Sequence, residues 1–291
     1  MKITFLTYLI LAVSALTDCQ SPKGPDMKHE STTDRDAAFA QYPDALYPIR
    51  VKNKWGYMNR KADIVIQPAF ETADDFFDGL AIVSTMKDNQ THYGYIDTKG
   101  NWAIDAVYED AKSFSENKAA VEKGELYGYI DNTGKEIIPC QFDQAGRFTE
   151  GRAAVQKNGW VGFIDTTGTM VIEPKFTCSV SHPIFVNGMA PVFGVDEMTG
   201  YIASDGSWKI EPKFHSASRF KDGKAWAMIK NEDPSAQYGF SIRGGYIDTT
   251  GEFVIQPQYD FGWDFHEGYA TVWKLTDDRR TKLWYVLDPS G

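Results

Sequence analysis

Repetition at fixed spacing is what most limits the shapes open to this chain. A motif of the form aromatic-Gly-aromatic-Ile-Asp-x-x-Gly occurs at Tyr93 to Gly100. It returns at Tyr127 to Gly134, Val161 to Gly168, Thr199 to Gly206 and Gly244 to Gly251. A degenerate first copy starts at Trp55-Gly56-Tyr57, and a last one, Trp284 to Asp288, ends at Gly291. Six full copies and one truncated copy of a unit of nearly forty residues therefore follow one another. The motif's two glycines stand six apart throughout, counting Ala62 and Tyr285 as stand-ins. Eight residues after the second comes an aromatic: Phe70, Tyr108, Phe142, Phe176, Phe214 or Tyr259. Nine further on, in five copies of six, is a turn glycine or Asn117; from Phe176 to Gly188 the distance is twelve.

Each segment of the unit has a physical reading. Ala119 to Lys123, Tyr127 to Asp131 and Glu136 to Ile138 alternate as strands do. Asp131-Asn132-Thr133-Gly134 is a turn, because Asp can bond the following backbone and Gly can take positive φ. Pro68, Pro139, Pro174, Pro212 and Pro257 sit where they end a strand or occupy a sheet edge. Phe142 to Phe148 offers a short fourth strand before the Glu150-Gly151 turn. The chain is thus predicted to be all-β, in tandem antiparallel meanders. Small first strands, such as Ala119-Ala120-Val121 and Ala153-Ala154-Val155, favour blades converging on an axis, where space is least. The expectation is a propeller-like toroid of six to seven blades, with an open superhelical β-solenoid as the alternative. A closed ring would need Phe39 to Tyr47, or a segment near it, to complete the last blade.

These residues resemble the WG repeat, also called the KWG repeat, of bacterial proteins. Lys54-Trp55-Gly56-Tyr57 carries the name-giving pair, and Lys157-Asn158-Gly159-Trp160 shows the preceding turn. Val171 to Phe176 and Phe148 to Ala153 match the rest of the pattern. Tyr, Val, Thr or Gly often replaces the Trp, and Ala203 replaces the Asp in the fifth copy. The resemblance spans about residues 46 to 291. It implies an exported repeat module and carries over no catalytic residues.

The amino terminus reads as an export signal over residues 1–19, with Lys2 ahead of the apolar run Ile3 to Leu16. Leu16-Thr17-Asp18-Cys19 resembles the lipobox of bacterial lipoproteins, in which the cysteine is lipidated; Asp18 departs from that pattern. Residues 20–44 are polar and Pro-containing and read as a flexible tether ahead of the repeat domain at 45–291. The expectation is an exported chain, an outer-membrane or periplasmic lipoprotein or else a secreted protein, touching membrane only through lipid on Cys19. Cys140 and Cys178 are left either bridged or as two free thiols.

A net charge of −10, with scattered Lys and Arg, argues against nucleic acid as a partner. No catalytic, cofactor or metal constellation stands out. The repeated Asp97, Asp131, Asp165, Asp248 and Asp288 suit turns better than calcium, which needs several oxygens converging in a few residues. The five histidines lack zinc-site spacing, and there is no Gly-x-Ser-x-Gly elbow. Among the tryptophans, Trp102, Trp160, Trp208 and Trp273 are expected in the core. Trp226 replaces an alanine (compare Ala120), and Trp263 replaces a small or polar residue (compare Arg147), so both are candidates for ligand contact.

The interval from turn glycine to motif glycine varies most, from eleven residues to twenty-two between Gly223 and Gly245. In a meander these hairpins emerge at one edge, where repeat proteins build binding surfaces. The longest insert, Asn231 to Arg243, offers Tyr238 and Phe240 for contact. The chain is expected to be a non-enzymatic cell-envelope binding or scaffold module for a protein or a surface glycan. The alternatives are a carbohydrate-active enzyme using loop carboxylates and a spacer with no specific ligand.

Overall fold

The computed structural model describes residues 45–177, 182–194, 196–232, 240–276 and 281–291, with Glu232 and Phe240 described by their backbone alone. The signal over 1–19, with Cys19, and the tether over 20–44 lie outside these residues, as do Cys178 and Tyr238.

Within 45–291 the described residues form strands and turns and no helix. Seven small antiparallel sheets succeed one another in chain order. The third shows the plan: a short strand Asp110–Ala111, then Lys118–Lys123, Leu126–Asp131 and Glu136–Phe142. We call these the short strand and strands A, B and C. The second sheet repeats it with Thr72–Ala73, Leu80–Lys87, Gln90–Asp97 and Trp102–Tyr108, and the fourth with Gln144–Ala145, Arg152–Lys157, Trp160–Asp165 and Met170–Phe176. The sixth has Ser216–Ala217, Ala225–Glu232, Phe240–Ile247 and Phe253–Tyr259. The first (Tyr47–Val51, Lys54–Met58, Ile64–Phe70) and fifth (Ala190–Phe193, Thr199–Ile202, Trp208–Phe214) show strands A to C. The seventh has Phe261–Gly262, Ala270–Leu275 and Lys282–Leu287 and no strand C.

The expected fourth strand exists, but it does not belong to its own meander. After Phe142 the chain steps across, and Gln144–Ala145 pairs with strand A of the fourth sheet, Ala145 facing Val155. Every connector therefore fastens the sheet it leaves to the sheet it enters. Buried aromatics reinforce the crossing: Tyr129 Oη donates to Gly146 O at 2.8 Å. Tyr57, Tyr95, Tyr201 and Tyr246 do the same to Asp74, Lys112, Ser218 and Trp263, each seventeen residues on.

Strand C runs past its proline and does not end there. Pairing steps from Tyr127↔Phe142 to Tyr129↔Ile138, so the residues around Pro139 bulge out of the ladder, where its missing N–H costs nothing. Gly128 lies beneath that bulge; a β-carbon there would lie 2.5 Å from Ile138 O. This close approach is the reason for the motif's first glycine. Tyr285 can occupy the same place in the last copy because no strand C covers it.

The turns agree with their residue types. In Glu150-Gly151 both residues have positive φ, 51° and 71°, the hairpin geometry whose twist matches the strands. Asp131 Oδ1 accepts the backbone N–H groups of Thr133 and Lys135, and its counterparts at Asp97, Asp165 and Asp248 act alike. Turn formation thus engages these carboxylates.

Core packing lies between sheets. Six buried clusters each join neighbouring sheets; one places Tyr129 and Ile138 of the third against Ala153 and Val155 of the fourth. Six clusters among seven sheets leave the seventh and first without a shared core among the described residues. Tyr47, a candidate for completing the last blade, pairs with Met58 inside the first sheet. Cys140 is a half-buried free thiol on strand C.

Candidate functional site: the cavity between the connectors

The connectors carry the feature that brings distant residues together. Lys112 and Ser113 follow the short strand of the third sheet; Ala145, Gly146 and Arg147 follow in the next connector, then His182, Pro183 and Ile184. Ala217, Ser218 and Arg219 come after, and Asp264 last. With Pro191 of strand A, these residues of five successive connectors line one cavity of about 550 Å³. Connectors lie on the short-strand side of each sheet, so five sheets converge on this cavity by their connectors, with the small-residue strand A next to them, as blades do. The molecule is propeller-like in this sense.

The rim charges are mainly positive. Lys112 Nζ donates to Asp110 Oδ2 at 2.5 Å, and Tyr127 Oη donates to the same oxygen at 2.6 Å. Burial is the largest influence and opposes ionisation of Asp110, but these two bonds, the Lys112 charge and the Ala111 amide together hold the carboxyl below its ordinary range. Arg219 Nε lies 3.5 Å from Asp264 Oδ2. Arg147 has no hydrogen-bond or ion-pair partner among the described residues. Arg147 remains exposed; partial loss of solvent on its cavity side, and then the neighbouring Arg219 guanidinium, lower its proton affinity from the usual arginine value. His182 is likewise pushed down, by burial and then by Lys112, so its imidazole is neutral at pH 7. Gly146 makes room for it: a β-carbon there would lie 2.6 Å from His182 Cβ.

Sequence reading missed this set. Arg147, Ile184, Arg219 and Asp264 each precede the buried phenylalanine of their connector, Phe148, Phe185, Phe220 or Phe265. One register position that varies in charge beside a constant aromatic was the available signal, passed over because hairpin length varied more visibly.

The tryptophan assignments change. Trp226 was expected to face a ligand, yet it is 6% exposed. Gly244 and Gly262 leave the space its indole fills, and it packs edge-on against Tyr246 at 5.2 Å. Trp102 and Trp160, expected in the core, are exposed at the outer parts of their sheets, while Trp208 and Trp273 are half-buried. Trp263 is exposed as expected, at 47%. Its structural counterpart is Gly146, not Arg147, since the tyrosine bonds mark equivalent positions.

Trp263 does not stand alone. It stacks on Trp284 at 5.5 Å and meets Phe261 edge-on at 4.7 Å, and Phe261 stacks on Trp273 at 6.3 Å. Phe261, Trp263 and Trp284 are exposed, because no other sheet among the described residues packs on this face. Trp263 precedes Asp264, so this aromatic shelf begins at the last wall of the cavity.

The long hairpin is less of a loop than its spacing suggested. Strands A and B of the sixth sheet continue into it, pairing Asn231 with Ser241 and Glu232 with Phe240. Tyr238 lies outside the described residues.

No curated protein matches the chain in sequence. Among solved structures, it is similar to the computationally designed Ika8 protein, at 14% identity over 85% of each chain with a TM-score of 0.48. It is also similar to Hsv2 of Kluyveromyces lactis, at 9% identity over 84% of this chain and 95% of that one, TM-score 0.44. BamB from Moraxella catarrhalis shares 10% identity over 63% of each chain, TM-score 0.39. The WG containing repeat matches six times, at residues 55–85, 93–127, 127–159, 162–193, 200–232 and 245–272. Each match starts at or near strand B of one sheet and ends at or near strand A of the next, enclosing the connector that builds the cavity. On these six matches, which take up more than half of its length, the chain belongs to the WG containing repeat family.

Proposed function

We propose that this chain is a non-enzymatic binding module of the cell envelope, exported and held by lipid on Cys19, which receives its ligand in the connector cavity and on the adjoining aromatic shelf. The observation that carries this reading is the convergence of five connectors on one cavity. A regular scaffold that gathers its variable positions at one place is how repeat proteins make a site. Exposed Trp263 and Trp284 can stack on sugar rings or anchor a protein partner, so a surface glycan or an envelope protein is the proposed ligand.

Hydrolysis of a glycan has less support. It calls for two carboxylates flanking the scissile bond, and Asp264, the carboxylate of the described cavity wall, is engaged by Arg219.

The test immobilises the chain and measures capture from envelope extract and from a glycan array. Ser113→Trp, which obstructs the cavity, and Trp263→Ala, which cuts back the shelf, are expected to lower capture at least about tenfold. Capture that survives both changes but is lost on deleting Asn231 to Arg243 would move the site to the hairpin edge. Cys19→Ser is expected to shift the chain out of the membrane fraction.

A further inference from the structure

We propose that the connector cavity is an anion site, in which Arg147 and Arg219 together grip the oxyanion group of a small ligand, a phosphate or a carboxylate. This rests on the reading of the cavity as the ligand site and names what enters it.

Two guanidiniums, those of Arg147 and Arg219, line the same cavity, and one, Arg147, has no counter-ion among the described residues. Among the described residues Arg219 is compensated by Asp264 alone, at 3.5 Å. Lys112 adds a third cation to the wall, held in place by Asp110. A chain of net charge −10 has acidic groups in excess, yet it lines this concavity with an exposed guanidinium, that of Arg147, which no carboxylate offsets among the described residues. Like charges gathered in a cleft lose stability unless an anion joins them, and low-dielectric walls strengthen what they then hold. The guanidinium fork suits phosphate and carboxylate oxygens equally. Beside the charges the wall is apolar, with Ala145, Pro183, Ile184, Pro191 and Ala217, and His182 contributes a neutral donor or acceptor. That lining accommodates the uncharged body of a small molecule, and 550 Å³ admits one or two sugar rings' worth of it.

The experiment titrates the full chain with inorganic phosphate and, separately, with glucuronate, by calorimetry. Binding of either probe is expected, and the probe preferred tells phosphate from carboxylate. Arg147 makes no hydrogen bond or ion pair among the described residues, and Arg147→Gln is expected to weaken that binding about tenfold or more. Arg147→Lys should restore part of it, and affinity should fall as salt rises. If neither probe binds, or if binding is equal in Arg147→Gln and in the unaltered chain, the proposal fails. Should it fail while Ser113→Trp still abolishes capture of an envelope ligand, the cavity remains a binding site for an uncharged ligand, and only the anion is lost.

Discussion

Gly128 and Tyr129 are neighbours on one strand, and between them they tie three segments together. The glycine lets the bulge around Pro139 close over strand B, and the tyrosine reaches the next connector. Gly128→Ala sets a β-carbon against backbone that cannot rotate away, so a loss of ~1–3 kcal/mol or more is expected from urea unfolding. Tyr129→Phe leaves Gly146 O without its donor in a buried place, and about 1–2 kcal/mol is expected in the same measurement. Phe163 already makes this exchange in the fourth copy, where Pro183 takes the place of Gly146. An unchanged midpoint for Tyr129→Phe would remove the clamp from the account of stability. The glycine was plain in the sequence as a repeated letter. Its cause was not, because the bulge that requires it lies in another strand.

Turns and connectors divide the work among the elements. The Asp-x-x-Gly turns hold their carboxylates below the ordinary range; for Asp131 the Thr133 side chain is the leading cause, and the Thr133 and Lys135 amides add to it. A carboxyl whose folded proton affinity is depressed contributes stability above its unfolded pKa, near 4, and loses it as pH falls through the lower folded value. Acid unfolding is therefore expected below about pH 4, shallower in a chain carrying Asp131→Asn and Asp165→Asn, as circular dichroism across that range will show. The turns were fully legible, since each is local and its residues are contiguous. The connectors were half legible. Gln144–Ala145 was expected as a strand, but its partner is the sheet ahead. A short segment between two turns marks a strand without naming the strand it joins.

Across the molecule, stability belongs to interfaces between sheets, and among the described residues the terminal sheets have one such interface where the others have two. Arrays of this kind lose structure from their ends. Amide exchange is expected to be slowest in the third to fifth sheets and fastest in the first and seventh. Equal protection in all seven would mean that the two ends meet. The exposed Phe261, Trp263 and Trp284 belong to this level too: the sequence marks them as aromatic, but only the tertiary structure shows that no other described sheet covers them.

Recurring spacing alone was enough to establish seven antiparallel units, their turns and their membership of one family, because those depend on contacts between residues close in the chain. Which charges meet was beyond it. Arg147 and Arg219 are seventy-two residues apart at one position of the repeat, and the repeat by itself does not say that those positions face one another. They come together because each connector crosses to the next sheet on its inner side, and small residues there let successive crossings close around one cavity.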